Sequence, residues 1–289
     1  MSSSAAGAQA AGVPIRRGNR APSAGRVLVR AVVVLFALYL LLPIALLLIG
    51  STGQSWTNTL LPSGLTGHWY ADLAADRSFR RAFVTSLTVA LACCALNALL
   101  GVPLAYALHH RARSGRGSVA RLVMLLPIAV PALTLGFGYI AVFGGDTLPW
   151  LGTLWLMIAA HAVLTLPYLL LTLPYLLQTL LADLRHLDLA TLEACAATLG
   201  ATPARQFLGV VLPNLRHSLF AGLVMVAALS IGEFQISNLI AGFRYRNYPV
   251  VLLQAFYGAS GFACAATVVL LVLAVAATLA SIATVQRLK

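Results

Sequence analysis

Charge is what this chain lacks. Of its 289 residues 60% are hydrophobic and only 9% are Asp, Glu, Lys or Arg. A soluble domain carries about a quarter of charged residues, so a water-facing surface cannot be assembled from this composition. The bilayer is the solvent that fits. Lysine is nearly missing, with Lys289 its sole example. A phosphate-binding P-loop needs Gly-Lys-Ser/Thr between a strand and a helix, so this sequence holds none, and any ATP used must sit on another polypeptide. The cysteines Cys93, Cys94, Cys195 and Cys264 show no CxxC spacing. They form no disulfide framework and read as small packing residues. Acidic residues are too few to pair on one apolar run, and neither a Ser-His-Asp set nor a metal-ligand cluster is found. The sequence therefore predicts no catalytic residue, no metal and no cofactor.

What the chain has instead is length of apolar run. About 20 apolar residues cross roughly 30 Å of hydrocarbon, and charge-poor runs centred on 31–50, 82–108, 122–144, 155–178, 219–240 and 263–285 meet that requirement. Backbone polar groups in lipid must bond within their own segment, so each run is read as a helix. The expected fold class is all-α, a polytopic membrane protein of six transmembrane helices over 27–289. Residues 1–26, rich in Ala, Ser and Gly with four arginines, read as a disordered cytoplasmic tail.

The net charge of +12 would suggest nucleic acid in a soluble protein. Here the arginines lie in short segments between apolar runs, where they set topology, and no nucleic acid partner is expected. With the N-terminus inside, 14 of the 19 basic residues are cytoplasmic and 5 (Arg77, Arg80, Arg81, Arg244, Arg246) are outside. That bias puts both termini in the cytoplasm. Outside, Trp69-Tyr70 and the charged stretch after them suit an interfacial helix. Residues near 147 should begin as a hairpin segment, with Pro167 and Pro174 kinking the helix beyond it. Gly258 and Gly261 suggest a short outer helix and a break over 247–262.

The loop between spans four and five, about 181–217, reads as two short helices. Leu189, Leu192, Ala196 and Leu199 recur at helical spacing. Gly200 supplies a left-handed stop; Thr202 then offers an N-cap, with Pro203 at the first helical position. The second helix should run to about Leu212, and Pro213 should end or bend it. Periodicity alone leaves this as either a lever or an ordinary loop hairpin.

The segment resembles the EAA loop of permease subunits of bacterial ATP-binding-cassette importers. Gly200, Val210, Leu212 and Pro213 match the second half of that signature. Its Glu-Ala-Ala falls on Ala194-Cys195-Ala196, with Glu193 one place early. Either Glu193 serves from the neighbouring position or one residue is inserted in this helix. Trp69-Tyr70, Phe83 to Leu87 and Gly101-Val-Pro-Leu-Ala-Tyr-Ala-Leu resemble the second-span region of the same family. The resemblance extends over about residues 65–285. It implies a subunit of the bacterial inner membrane that forms half of a substrate pathway. The implied partners are two ATP-binding subunits, a second permease (a paralogue rather than a copy) and an extracytoplasmic substrate-binding protein. It also implies an ATPase-coupling site of Glu193, Ala194, Gly200, Ala201, Thr202, Pro203, Arg205, Phe207, Leu212 and Pro213. Hydrolysis belongs to the partner, so the chain itself is no enzyme.

Candidates for the pathway are Glu233, Ser230, Gln235 and His161. Glu233 is the one acid inside an apolar run, and intramembrane acids usually face an interior or a watery cavity. It reads either as a pathway group or as a carboxylate satisfied by a neighbouring helix; His161 reads as a pathway group or a hydrogen-bonded packing residue. Arg244, Tyr245, Arg246 and Asn247 form an outer polar cluster, either an entrance or a solvated loop. Ser230 to Phe234, with Tyr248-Pro249-Val250 and Gln254, resemble the branch handling polyamines, thiamine, ferric ion or aminophosphonates. A secondary transporter driven by an ion gradient is the alternative; it should show internal repeats, and none is evident. An intramembrane enzyme is weakened by the missing nucleophile and base.

Overall fold

A computed structural model describes residues 24–55, 62–111, 129–166 and 189–287. The chain divides into two compact units, Met1–Leu46 and Leu47–Lys289. Helix α1, Ala24–Thr52, is apolar all round beyond Arg30, and its large apolar side chains from Val27 to Leu42 are exposed. A helix with no polar face is one that lipid covers. It begins inside the segment expected to be a disordered tail; the rest of that tail lies outside the described residues.

The second unit starts with a small hairpin. Strands β1, Gly53–Ser55, and β2, Ser63–Leu65, pair antiparallel with Gly53 opposite Leu65. Helix α2, His68–Ala75, comes next. Asp76 ends it in extended conformation and accepts hydrogen bonds from the Ser78 and Phe79 N–H groups, so one residue stops α2 and caps α3, Arg77–Arg111. The second span thus starts five residues before the apolar run that predicts it. Trp69 on α2 donates to the Gly53 carbonyl at 2.8 Å, and Tyr70 donates to Ser51 Oγ at 2.7 Å.

Beyond α3 lie α4, Ala132–Phe143, a turn, and α5, Leu154–Leu166. The turn matches the hairpin expected near 147. Pro131 stands at the N-cap of α4; Pro127, Pro167 and Pro174 lie outside the described residues. Helix α6, Leu189–Thr198, and α7, Pro203–Gln206, flank Gly200. The chain then runs through a π-helical turn, Phe207–Val211, into α8, Leu212–Gly232. Of the two courses expected at Pro213, an end or a bend, the helix takes the second: it continues through Pro213 and bends by 66° just beyond it, between Arg216 and Leu219. The reason is local. A proline ring clashes with the carbonyl four residues back, and the wide turn before it, in which Leu212 N–H reaches Phe207 O, opens the helix at that point. The Val210 carbonyl, which would meet the Asn214 N–H in regular helix, takes a bond from the Asn214 side chain at 2.7 Å.

Span five is also corrected: it is broken. After α8 the chain is extended at Glu233, and a short helix α9, Gln235–Ile240, resumes beyond Phe234. Helices α10, Tyr248–Phe256, and α11, Ser260–Arg287, reproduce the short helix and break expected around Gly258. Among the described residues, three of five buried apolar clusters show how the unit is tied together. Phe79 and Ala82 of α3 meet Tyr248, Val251 and Ala266; Leu156 and Ala160 of α5 meet Ile236 and Ile240 of α9; and Val102 of α3 meets Val211 and Leu215.

Among the described residues, Gly25–Thr52 and Arg77–Leu104 are each long and apolar enough to cross a membrane. The bent pair Pro203–Arg216 and Leu219–Gly232 passes as a third when joined. Shorter apolar helices cover Ala132–Phe143, Leu154–Leu166 and Ser260–Ala276.

Two glycines hold a backbone crossing between the α4–α5 turn and the end of α9. Gly152 has φ +80° and Gly242 φ +57°, and the Gly152 N–H donates to the Ile240 carbonyl at 2.9 Å. A Cβ on Gly242 would lie 2.9 Å from the Gly152 Cα, which is backbone and cannot swing aside. Gly242→Ala should therefore destabilise by about 1–3 kcal/mol, read as a lower unfolding midpoint in detergent, whereas alanine at Gly138, with open space around it, should not.

Candidate functional site

The break after α8 frees backbone N–H groups where water is scarce, and one side chain takes them up. Glu233 Oε1 accepts from Ile236 N at 2.7 Å; Oε2 accepts from Ser237 N at 2.9 Å and from Ser237 Oγ at 2.7 Å. The carboxylate is thus the N-terminal cap of α9. Ser237 Oγ also meets Asn247 Nδ2 at 2.7 Å and His161 Nε2 at 2.9 Å. A hydroxyl has one proton, and Ser237 gives it to Glu233, so the other two groups must donate. His161 therefore carries a proton on Nε2, and its Nδ1 shares a hydrogen bond with Ser230 Oγ at 2.9 Å. Asn247 spends its second N–H on the Glu233 carbonyl at 2.8 Å, while its Oδ1 caps α10 through Val250 N. The Tyr248 N–H beside it donates to Ser86 Oγ of α3 at 2.8 Å.

The network brings together three of the four pathway candidates, His161, Ser230 and Glu233, all less than a tenth exposed. Gln235 stands apart, exposed with Asn238 one turn on, while Ile236, Ser237 and Ile240 are buried. Asn247, placed by the sequence in an outer polar cluster, is 1% exposed and belongs to the interior. Arg246 remains in that cluster, over the Phe243 ring at 4.6 Å and donating to Gln254.

A second constellation lies around Gly200. Helix α6 closes with paired bonds from Gly200 N to Ala197 O and from Ala201 N to Ala196 O, the Schellman arrangement that needs a left-handed residue. Gly200 supplies it at φ +80°. Thr202 then caps α7 by accepting from Arg205 N, with Pro203 at the first turn, and the Gln206 side chain closes back on the Ala201 carbonyl. The tip faces outward: Leu199 is 87% exposed, and Ala194, Thr202, Pro203 and Arg205 are exposed. The inner side does not. Glu193 accepts a hydrogen bond from Tyr106 of α3 at 2.9 Å, and Phe207 packs its ring 5.0 Å from Tyr106. Leu212 adjoins the buried cluster beneath, and Pro213 is exposed.

Tyr106, Ser237, Asn247 and Ser86 are the members that sequence reasoning missed. Ser237 lies one turn from Glu233, and Tyr106 lies in a stretch that carries the family resemblance; both were signals. Ser86 lies in another such stretch, Phe83 to Leu87, and Asn247 was placed in the outer polar cluster; nothing local joins either to Glu233.

These long apolar helices are those of an α-helical membrane protein. No family model matches the chain. Over 220 residues it is 30% identical to PhnV of Salmonella typhimurium, a permease protein named for 2-aminoethylphosphonate transport, covering 76% of this chain and 78% of that one. It is 24% identical over 224 residues to the putrescine transport system permease protein PotI of Escherichia coli, covering 75% of each. Its fold matches, at TM-score 0.62 and 16% identity, a chain of a bacterial ABC transporter that imports the acidic polysaccharide alginate, covering 90% of this chain and 95% of that one. The chain belongs to the family of permease subunits of ABC import systems. The gradient-driven alternative gives way to that membership.

Ser237→Ala would leave His161 and Asn247 with unmatched buried donors, a loss of about 2 kcal/mol or more. The expected readout is a clear fall in the unfolding midpoint of the purified permease; an unchanged midpoint would show that the network does not hold the break.

Proposed function

We propose that this permease takes its drive from an ATPase docked on the tip around Gly200, and that the face of α9 carrying Gln235 lines the substrate path. As a member of its family the chain works beside ATPase and substrate-binding partners. The finer arrangement is six spans with both termini cytoplasmic, two ATPase subunits, and a paralogous second permease. The charge bias of the sequence supports that topology.

One observation carries the docking reading. A leucine 87% exposed stands beside a glycine held at φ +80°, between two capped helices. An exposed apolar side chain on a rigid tip is what a partner groove covers. Glu193, Ala194, Ala201, Thr202, Pro203, Arg205, Phe207, Leu212 and Pro213 make up the rest of the coupling segment, Phe207 and Leu212 from its inner side. For the path, Gln235 and Asn238 are amides exposed on a helix whose other face is packed. An amide facing hydrocarbon is costly, so that face belongs toward water or the second permease. Glu233, Ser230 and His161 serve the path from behind, as the wall that holds α9 in place.

Among substrates the 2-aminoethylphosphonate type comes first, on the similarity to PhnV. The test is uptake of labelled 2-aminoethylphosphonate by proteoliposomes holding the whole transporter with its binding protein. ATP-dependent accumulation is expected, and putrescine uptake in its place would move the assignment to polyamines. For docking, Gly200→Ile should strain the left-handed position by about 1–2 kcal/mol. ATPase co-purification should fall, with membrane insertion intact. Unchanged co-purification in both Gly200→Ile and Leu199→Glu would remove the tip from the interface.

A further inference from the structure

We propose that Tyr106 is the positioning residue through which movement of the 189–213 segment reaches α3. The inference rests on the proposed coupling at Gly200 and assigns the contact that passes the displacement on. Tyr106 touches both arms of the segment. Its hydroxyl donates to Glu193 Oε1 of α6 at 2.9 Å, and its ring lies 5.0 Å from that of Phe207 in the π-helical turn, inclined at 54°. Beneath these contacts Val102 of α3 is buried against Val211 and Leu215. The two arms meet across the left-handed turn at Gly200, and both rest on this one side chain.

A hydrogen bond of this length fails when its partners separate by about 1 Å. When α6 is displaced, either the end of α3 moves with it or the bond breaks. The ring contact with Phe207 limits the second course, since the aromatic pair keeps the hydroxyl aimed at α6. The π turn lies at this contact, and such turns recur at functional sites. The far part of α3 carries Ser86, which holds Tyr248 N and through it the loop of Asn247. A push received at Tyr106 therefore acts on the helix that borders the buried network.

The experiment is hydrogen–deuterium exchange on the complete transporter in nanodiscs, with and without a non-hydrolysable ATP analogue. In the parent, peptides from 189–216 and from 77–111 should both change exchange on adding the nucleotide. Tyr106→Phe keeps the ring and removes the hydroxyl; here 189–216 should respond while the response of 77–111 is lost. Glu193→Ala should behave like Tyr106→Phe, and Glu193→Gln, which keeps an acceptor oxygen, should restore the parent pattern. A normal response of 77–111 in both Tyr106→Phe and Glu193→Ala overturns the proposal, as does a parent in which 77–111 never responds. If 189–216 of the parent is itself silent, the docking reading fails first and the link falls with it.

Discussion

A broken helix inside an apolar fold must satisfy its freed backbone groups from within the protein, and the arrangement around Glu233 is a consequence of that constraint. With no water to serve them, the N–H groups of Ile236 and Ser237 need an acceptor on the spot. Glu233 provides two oxygens. Burying a carboxylate is itself costly, and the cost is offset by donors on several elements: Ser237 of α9, and behind it His161 of α5 and Asn247 before α10. Each polar atom that serves the break then fixes the element that bears it. Thus α5, α9 and α10 are pinned to one another by chemistry as well as by apolar contact.

Helix α3 joins this region to the segment around Gly200. Ser86 meets the loop at Asn247–Tyr248, and Tyr106 meets α6 and the π turn. Twenty residues of helix between them span about 30 Å, the thickness of a bilayer core. The rod is not uniform. Pro103 cannot donate to the Leu99 carbonyl, so the turn that carries Tyr106 is the part of α3 that yields most readily. The buried cluster of Val102, Val211 and Leu215 lies beside that weak point and stiffens it.

What the sequence made legible was local. Gly200, Thr202 and Pro203 act through their own backbone chemistry, and they stop one helix and start the next as that chemistry requires. Apolar run length drew the second and the last span to within about five residues at each end. The break at Glu233 was not legible, because Ser-Ile-Gly-Glu-Phe reads as one continuous apolar run with an acid in it. Its partners come from 72 residues upstream, at His161, and 14 downstream, at Asn247. Only the packed structure brings them together. Pro213 left two courses open, an end or a bend. Its usual effect is to stop a helix, and here a π turn immediately before it accommodates the ring.

Geometry decides where Glu193 points. The chain offers a glutamate one place before the family's position, and one residue along a helix turns the side chain by about 100°. At 194 the side chain is exposed; at 193 it points inward and reaches Tyr106. Helix α6 is regular from Leu189 to Thr198, so no bulge within it absorbs an inserted residue. The carboxylate at 193 is turned toward α3 within its own chain. A single hydrogen bond to a charged group contributes about 1.5–3 kcal/mol, too little to drive a transport cycle by itself. It is enough to set where α6 rests against α3, and direction rather than energy is what a link between a motor and a pathway has to supply.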